Sequence, residues 1–258
     1  MSAPTAGNIA LDSNRFSDDT FDKIPVEFHG KEVVVGFGRP NEAEATTLLL
    51  NTPVIESRSY AVGKRIIDII GASFAMIVGF PVYLTVAILV KATSRGPVLF
   101  RQKRLGLRGK QFWCYKFRTM VVDAEDVLNK NAALRAQFER EGFKIKDDPR
   151  ITPIGAILRK LSLDELPQFM NVLLGDMSLI GPRPIVPKEI TKYGIYGDRL
   201  LQVKPGLGGL WQASGRSDVD YDERIGLDMQ YINERSLWLD TQLLLKTLTS
   251  VFRSRGAY

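Results

Sequence analysis

The chain has 258 residues, 45% of them apolar, and 35 Lys and Arg against 29 Asp and Glu give a formal charge of +6. That length and apolar share allow one large domain, or one domain with appendages, around a real core. A single cysteine and a single histidine exclude an intrachain disulfide and argue against a Cys/His zinc site.

The lone histidine, His29, lies near the N-terminus, so the rest of the chain has no imidazole for Ser-His-Asp chemistry. Catalysis there must rest on carboxylates, Lys, Arg, Tyr, Ser/Thr or a metal held by oxygen ligands. The charge is also uneven. The first 63 residues carry nine acidic and five basic side chains, whereas residues 91–258 carry 28 basic and 19 acidic ones. A basic body points to an anionic partner: nucleic acid, anionic lipid or a phosphorylated substrate.

Residues 1–60 read as an irregular leader with "KEVVVGFG" as a short strand, and their start lacks the basic end and apolar run of a secretory signal peptide. From Ile69 to Val90 there are 22 residues without a charge, which meets the length criterion for a membrane helix. Basic residues flank both ends (Lys64 and Arg65; Lys91, Arg95 and Arg101), so the positive-inside rule orients it only weakly. Pro81 lacks an N–H and its ring clashes with the carbonyl four residues back, which predicts a kink or break. A sharp break lets the segment enter and leave by one leaflet; a kinked spanning helix is the alternative.

Beyond Pro97 the pattern is soluble. "PVLFRQKRLG" and "KQFWCYKFRTM" read as two strands around the turn "GLRG". "AEDVLNKNAALRAQFEREG" reads as one exposed helix ending at Gly142, and "DDPRITPIG" as a loop. "AILRKLSLDELPQFMNVLLG" holds two helical pieces meeting at Asp164 and Glu165. "SLIGPRPIVP" is a proline-fixed loop, "KPGLGGLWQASGRSD" a glycine-rich one, and "YDERIGLDMQYINERSLWLDTQLLLKTLTSVF" is mostly helix. There is no βαβ alternation, no "GxGxxG" and no "GxxxxGK[ST]", which disfavours a Rossmann or P-loop site.

The side-by-side carboxylates have two readings. Asp164 could cap a helix ahead of Pro167. Alternatively, adjacent positions about 100° apart let one carboxylate face a substrate while the other serves a metal or a proton. A carboxylate can also attack phosphorus to give an acyl-phosphate. A phosphate substrate needs converging cations, and Arg150, Arg159, Arg183, Lys204 and Arg216 lie in or beside Pro/Gly loops.

The strings "KRIIDII…FPVYLTVAILVK", "YKFRTM", "LRKLSLDELPQFMNVLLGDMSLIGPRP", "KPGLGGLWQASGR" and "RGAY", in this order, resemble the bacterial sugar transferase family, the monotopic phosphoglycosyl transferases that begin exopolysaccharide synthesis. The last forms are similar to undecaprenyl-phosphate galactose or glucose phosphotransferases. The resemblance implies an α+β, mainly helical fold: leader 1–60, a re-entrant or spanning membrane helix 61–95 broken near Pro81, and a cytoplasmic catalytic domain 96–258 with interfacial amphipathic helices. It implies transfer of hexose-1-phosphate from a UDP-hexose to polyprenyl phosphate at the cytoplasmic leaflet of the bacterial inner membrane, with release of UMP and with Mg²⁺. Asp164 falls on the family's nucleophile and is associated with the metal; Glu165 assists. Lys116, Arg159, Arg183 and Arg216 are the expected phosphate-binding residues. Phe80 stands where many members carry Ser before the proline. A homo-oligomer is left open, and a nucleic-acid partner is not expected, for want of a recognition motif. The competing reading is a non-catalytic membrane adaptor that binds anionic lipid or an assembly partner.

Overall fold

In the computed structural model, the described residues are 53–140, 145, 148–214 and 220–252, with two further strands, β1 (Ile24–Phe28) and β2 (Lys31–Val35). These two pair antiparallel in a small unit of their own that ends at Pro53. β2 falls on the strand read in "KEVVVGFG".

The second unit begins at Val54. Its first element is one long helix, α1 (Arg58–Thr93), started by Ser57, whose hydroxyl accepts from the Tyr60 N–H at 3.2 Å. Helix continues through Pro81, so the chain does not leave the helix there. The expected break near Pro81 is therefore absent as an interruption. The Pro81 carbonyl accepts from Thr85 Oγ1 at 2.8 Å within the same helix.

α1 is inside out for a water-soluble helix. Asp68 is buried, while Phe74, Ile77, Val78 and Phe80 are 60–74% exposed. The helix is long and apolar enough to cross a membrane. Yet both halves lie against the same body. Near the start, Lys64 pairs with Asp240 at 2.8 Å, and Asp68 accepts from the Ser178 hydroxyl and the Leu179 N–H. Near the end, Val86 and Val90 are buried with Phe117 and Leu158.

The body follows. β3 (Leu99–Leu105) and β4 (Gln111–Phe117) form the expected antiparallel hairpin across a 3₁₀ turn at Leu107–Gly109. The single helix read at 124–142 is two, α2 (Ala124–Lys130) and α3 (Ala132–Arg140). Asn131 divides them because its Oδ1 accepts from the Leu134 N–H at 3.0 Å and starts the second helix. The predicted end at Gly142 lies outside the described residues.

α4 (Pro153–Lys160) leads through a 3₁₀ turn, Leu163–Glu165, into α5 (Gln168–Leu174). β5 (Ser178–Ile180) and β6 (Gly206–Gly208) pair in parallel, an element absent from the sequence reading. Between them lie 3₁₀ turns at Pro187–Tyr196 and the short α6 (Gly197–Leu200). α7 (Leu210–Ser214), α8 (Tyr221–Glu234) and α9 (Leu237–Phe252) complete the unit. The main core joins Phe112, Val172, Met177, Leu179, Tyr231 and Leu243, drawing on the hairpin, α5, β5, α8 and α9. The whole is α+β and mainly helical, as expected.

Candidate active site

The turn carrying Asp164 and Glu165 is held from three sides. α4 ends where Ser162 takes a left-handed backbone, φ 56°, which swings the chain into the 3₁₀ turn. The Tyr83 hydroxyl of α1 donates to the Leu166 carbonyl at 2.7 Å. Asn171, fully buried in α5, works like a third strand beside β4: its Oδ1 accepts from the Tyr115 N–H at 3.0 Å and its Nδ2 donates to the Trp113 carbonyl at 2.7 Å. This fixes α5, and the turn before it, against β4. The helix-cap reading of Asp164 is corrected: the cap position of α5 is Pro167, and no side chain caps that helix.

Lys116 of β4 is the cation facing the dyad. Its Nζ donates to Glu165 Oε1 at 2.5 Å and lies 3.9 Å from Asp164 Oδ2. Asp164 is buried, and burial pushes its carboxyl up to about 6, aided by repulsion from Glu165 and opposed by Lys116 and Arg159. Burial acts the same way on Glu165, but Lys116, Arg183 and Arg104 outweigh it and hold that carboxyl below the usual range. One carboxylate of the pair is thus firmly ionised, while its neighbour is unusually basic.

Arg159, in the last turn of α4, donates Nε–H to Thr119 Oγ1 at 2.9 Å, and its charge bears on Asp164. Arg183, in the loop after β5, bears on Glu165. That loop is gripped by backbone. Gly181 N–H donates to the Gly208 carbonyl and Gly206 N–H to the Pro182 carbonyl, both at 2.8 Å. A Cβ on Gly206 would overlap the Gly181 backbone, so the two motif loops meet at a distance that only glycine permits.

Lys116, Arg159 and Arg183 therefore converge on the dyad, whereas Arg150 and Lys204 do not. Arg150 is spent on Asp148, with Nε and Nη2 hydrogen bonds of 2.8 and 2.7 Å. Lys204 lies beside Gly175, at the end of α5 away from the dyad. Arg216 lies outside the described residues.

Sequence reasoning missed Arg104 as a site residue. It donates to the Pro184 carbonyl at 2.8 Å, lies 3.8 Å from Glu189 and bears on Glu165. The signal was strand parity. With Arg104 opposite Phe112, alternation puts 104 on the hairpin face that carries Lys116.

As for a metal, no group of three or more Asp, Glu, His or Cys could hold one among the described residues. Mg²⁺ needs no such cage. It keeps several waters and takes one or two carboxylates plus substrate phosphates. Asp164, whose nearest described cation stands at 3.9 Å, fits that part.

A long, apolar and largely exposed helix thus lies beside a pair of adjacent carboxylates with Lys116, Arg159 and Arg183 around them. The chain belongs to the bacterial sugar transferase family, whose sequence model matches residues 59–254. It is 46% identical over 209 residues to the undecaprenyl-phosphate galactose phosphotransferase of Salmonella typhimurium, covering 79% of this chain and 43% of that protein. It is 42% identical over 198 residues to the exopolysaccharide production protein ExoY of Rhizobium meliloti, 76% of this chain and 88% of that one. It is 41% identical over 203 residues to the UDP-glucose:undecaprenyl-phosphate glucose-1-phosphate transferase of Klebsiella pneumoniae, 76% of this chain and 41% of that one. The chain thus spans less than half the length of the Salmonella and Klebsiella relatives.

Proposed function

We propose that this protein transfers a hexose-1-phosphate, galactose or glucose, from a UDP-sugar to polyprenyl phosphate at the cytoplasmic face of the membrane. The observation that carries the reading is the asymmetric dyad: a buried, basic Asp164 beside an ionised Glu165, with Lys116, Arg159 and Arg183 around them. The Asp164 carboxylate attacks the sugar-bearing phosphorus. The bond from that phosphorus to the bridging oxygen breaks, and its electron pair leaves with UMP. The product is an aspartyl phosphosugar. A phosphate oxygen of the lipid then attacks the same phosphorus, and Asp164 departs as a carboxylate.

A carboxylate with a raised pKa is a stronger nucleophile once ionised, and at neutral pH one near 6 is mostly ionised. Arg159 and Arg183 are placed to balance the diphosphate charge. Glu165 holds Lys116 against the dyad. Bound Mg²⁺, held by Asp164 and substrate phosphate, would neutralise further charge on the diphosphate.

The membrane arrangement follows from α1. The body touches both ends of the uncharged stretch, at Asp68 and Ala72 and again at Val86 and Val90. A helix crossing at right angles would drag that body into hydrocarbon. This supports entry and exit by one leaflet, with a bend inside one continuous helix. Exposed Met170 and Leu174 on α5, and Trp238 and Leu245 on α9, support a shallow apolar footing beside it.

The test uses purified protein with UDP-galactose or UDP-glucose, undecaprenyl phosphate and Mg²⁺. UMP and a sugar-diphospholipid should appear together. Absence of UMP with both donors would favour the adaptor reading.

A further inference from the structure

Five polar atoms in one corner of the body lack partners. Among the described residues, Trp211 Nε1, Gln212 Oε1, Tyr221 OH, Arg224 Nε and Asp228 Oδ1 are shielded from solvent without a hydrogen bond. Folded proteins keep few such atoms, and a group of them in one place asks for an occupant. The ring and charge contacts knit these residues together. The Arg224 guanidinium lies 4.4 Å from the Tyr221 ring centre and 5.3 Å from that of Trp211. The Tyr193 hydroxyl donates to Asp228 Oδ2 at 2.9 Å, which leaves Oδ1 open. Tyr221 and Arg224 are only half-buried, so the corner reaches the surface through them.

Arg183 joins this corner to the dyad. Its guanidinium bears on Glu165 and also lies 5.7 Å from the Trp211 ring centre. A nucleotide sugar is linear: hexose, two phosphates, ribose, base. With the sugar-bearing phosphorus at Asp164 and the phosphate charge on Arg183, the nucleoside runs on toward Trp211.

We propose that Trp211, Tyr221, Arg224 and Asp228 form the subsite for the nucleoside part of the donor. The inference rests on the transferase reading above. The chemistry matches. An indole N–H, a guanidinium N–H and a phenol O–H can donate to the two carbonyls of uracil, while the Asp228 carboxylate can accept from the base N–H or a ribose hydroxyl. Aromatic and guanidinium planes offer stacking surface. The site reads the leaving nucleotide, so it governs donor affinity and product release and leaves the lipid step alone.

The test compares UMP with ribose 5-phosphate, which lacks the base, as inhibitors of sugar transfer to lipid by the full chain. Wild type should prefer UMP by about tenfold or more, the worth of one or two well-made hydrogen bonds. Trp211→Phe, which keeps a ring and removes only the indole N–H, and Asp228→Asn should bring that preference toward one. They should raise the donor KM about tenfold with kcat within about threefold, the signature of lost ground-state binding. Tyr221→Phe, at a half-buried position, serves if either variant unfolds. An active wild type without preference for UMP overturns the subsite, and so do folded variants that keep the wild-type preference. A purely structural role would weaken both inhibitors equally. A wild type that transfers no sugar would instead sink the transferase reading.

Discussion

At Asp164, burial and the Glu165 charge pull against Lys116 and Arg159, and burial wins. A carboxyl whose pKa burial raises attacks only when deprotonated, so the rate of UMP release should fall as the pH drops through the acid range. A profile that stays flat from pH 7.5 to 5 would contradict the assignment. The stability effect has the opposite sign. The folded carboxyl binds its proton more tightly than the unfolded one, so this group adds stability as pH falls from 7 toward 4. At pH 7.5 its charge is a burden on the fold. Asp164→Asn should therefore abolish turnover by several orders of magnitude while raising Tm. After discounting for Lys116, the gain is about 1–2 kcal/mol, or about 2–6 °C in a thermal melt. A lowered Tm would mean that the charge is better paired than the 3.9 Å separation from Lys116 suggests.

At the scale of elements, Asn171 decides where the dyad sits, because its side chain satisfies the outer edge of β4 at both Trp113 and Tyr115. Asn171→Ala leaves that N–H and carbonyl without partners at a partly buried strand edge. It should cost about 1–3 kcal/mol in denaturant unfolding and should loosen the dyad from Lys116, lowering kcat. Unchanged stability would remove this account of the dyad's placement. The same comparison shows what could be read in advance. The adjacency of the dyad's two charges and their apolar frame can be read from the sequence, while its role is read only through the family resemblance. The β3–β4 hairpin was legible because the turn "GLRG" separates "PVLFRQKRLG" from the aromatic-rich "KQFWCYKFRTM". The β5–β6 pair was not. Each strand has three residues, and the pairing depends on Gly181 and Gly206 meeting across the fold, a contact with no local signature. Arg104 was hidden for a related reason, since its face is set by register with Phe112. The division at Asn131 turned on one side-chain cap inside a helical pattern.

At the scale of the whole molecule, the long helix and the body behind it pack as one unit, and the proposed reading seats that unit on a bilayer. Polar groups of α1 (Lys64, Arg65, Asp68) are used to hold the body, and its apolar groups are left for lipid. This predicts that both flanks of α1 share one side of the membrane. With Cys114 replaced by Ala and a cysteine introduced at Ser59, an impermeant maleimide should label only after lysis, as should a cysteine at Thr93. Labelling of Ser59→Cys in intact cells, with Thr93→Cys protected, would show a spanning helix.

The Tyr83 hydroxyl, bonded to the Leu166 carbonyl, ties the turn that carries Asp164 to α1, and the proposed reaction needs a lipid phosphate and a nucleotide sugar to reach that turn in succession. The proposed reaction divides into two half-reactions joined by a covalent enzyme. The decisive measurement incubates the purified protein and Mg²⁺ with a UDP-sugar radiolabelled in the hexose, without lipid, and follows UMP and protein-bound label. The account predicts one equivalent of UMP at most, with sugar phosphate on Asp164 that passes to polyprenyl phosphate when lipid is added. No UMP and no bound label until the lipid arrives would show that the lipid attacks the nucleotide sugar directly, and Asp164 would not be the nucleophile.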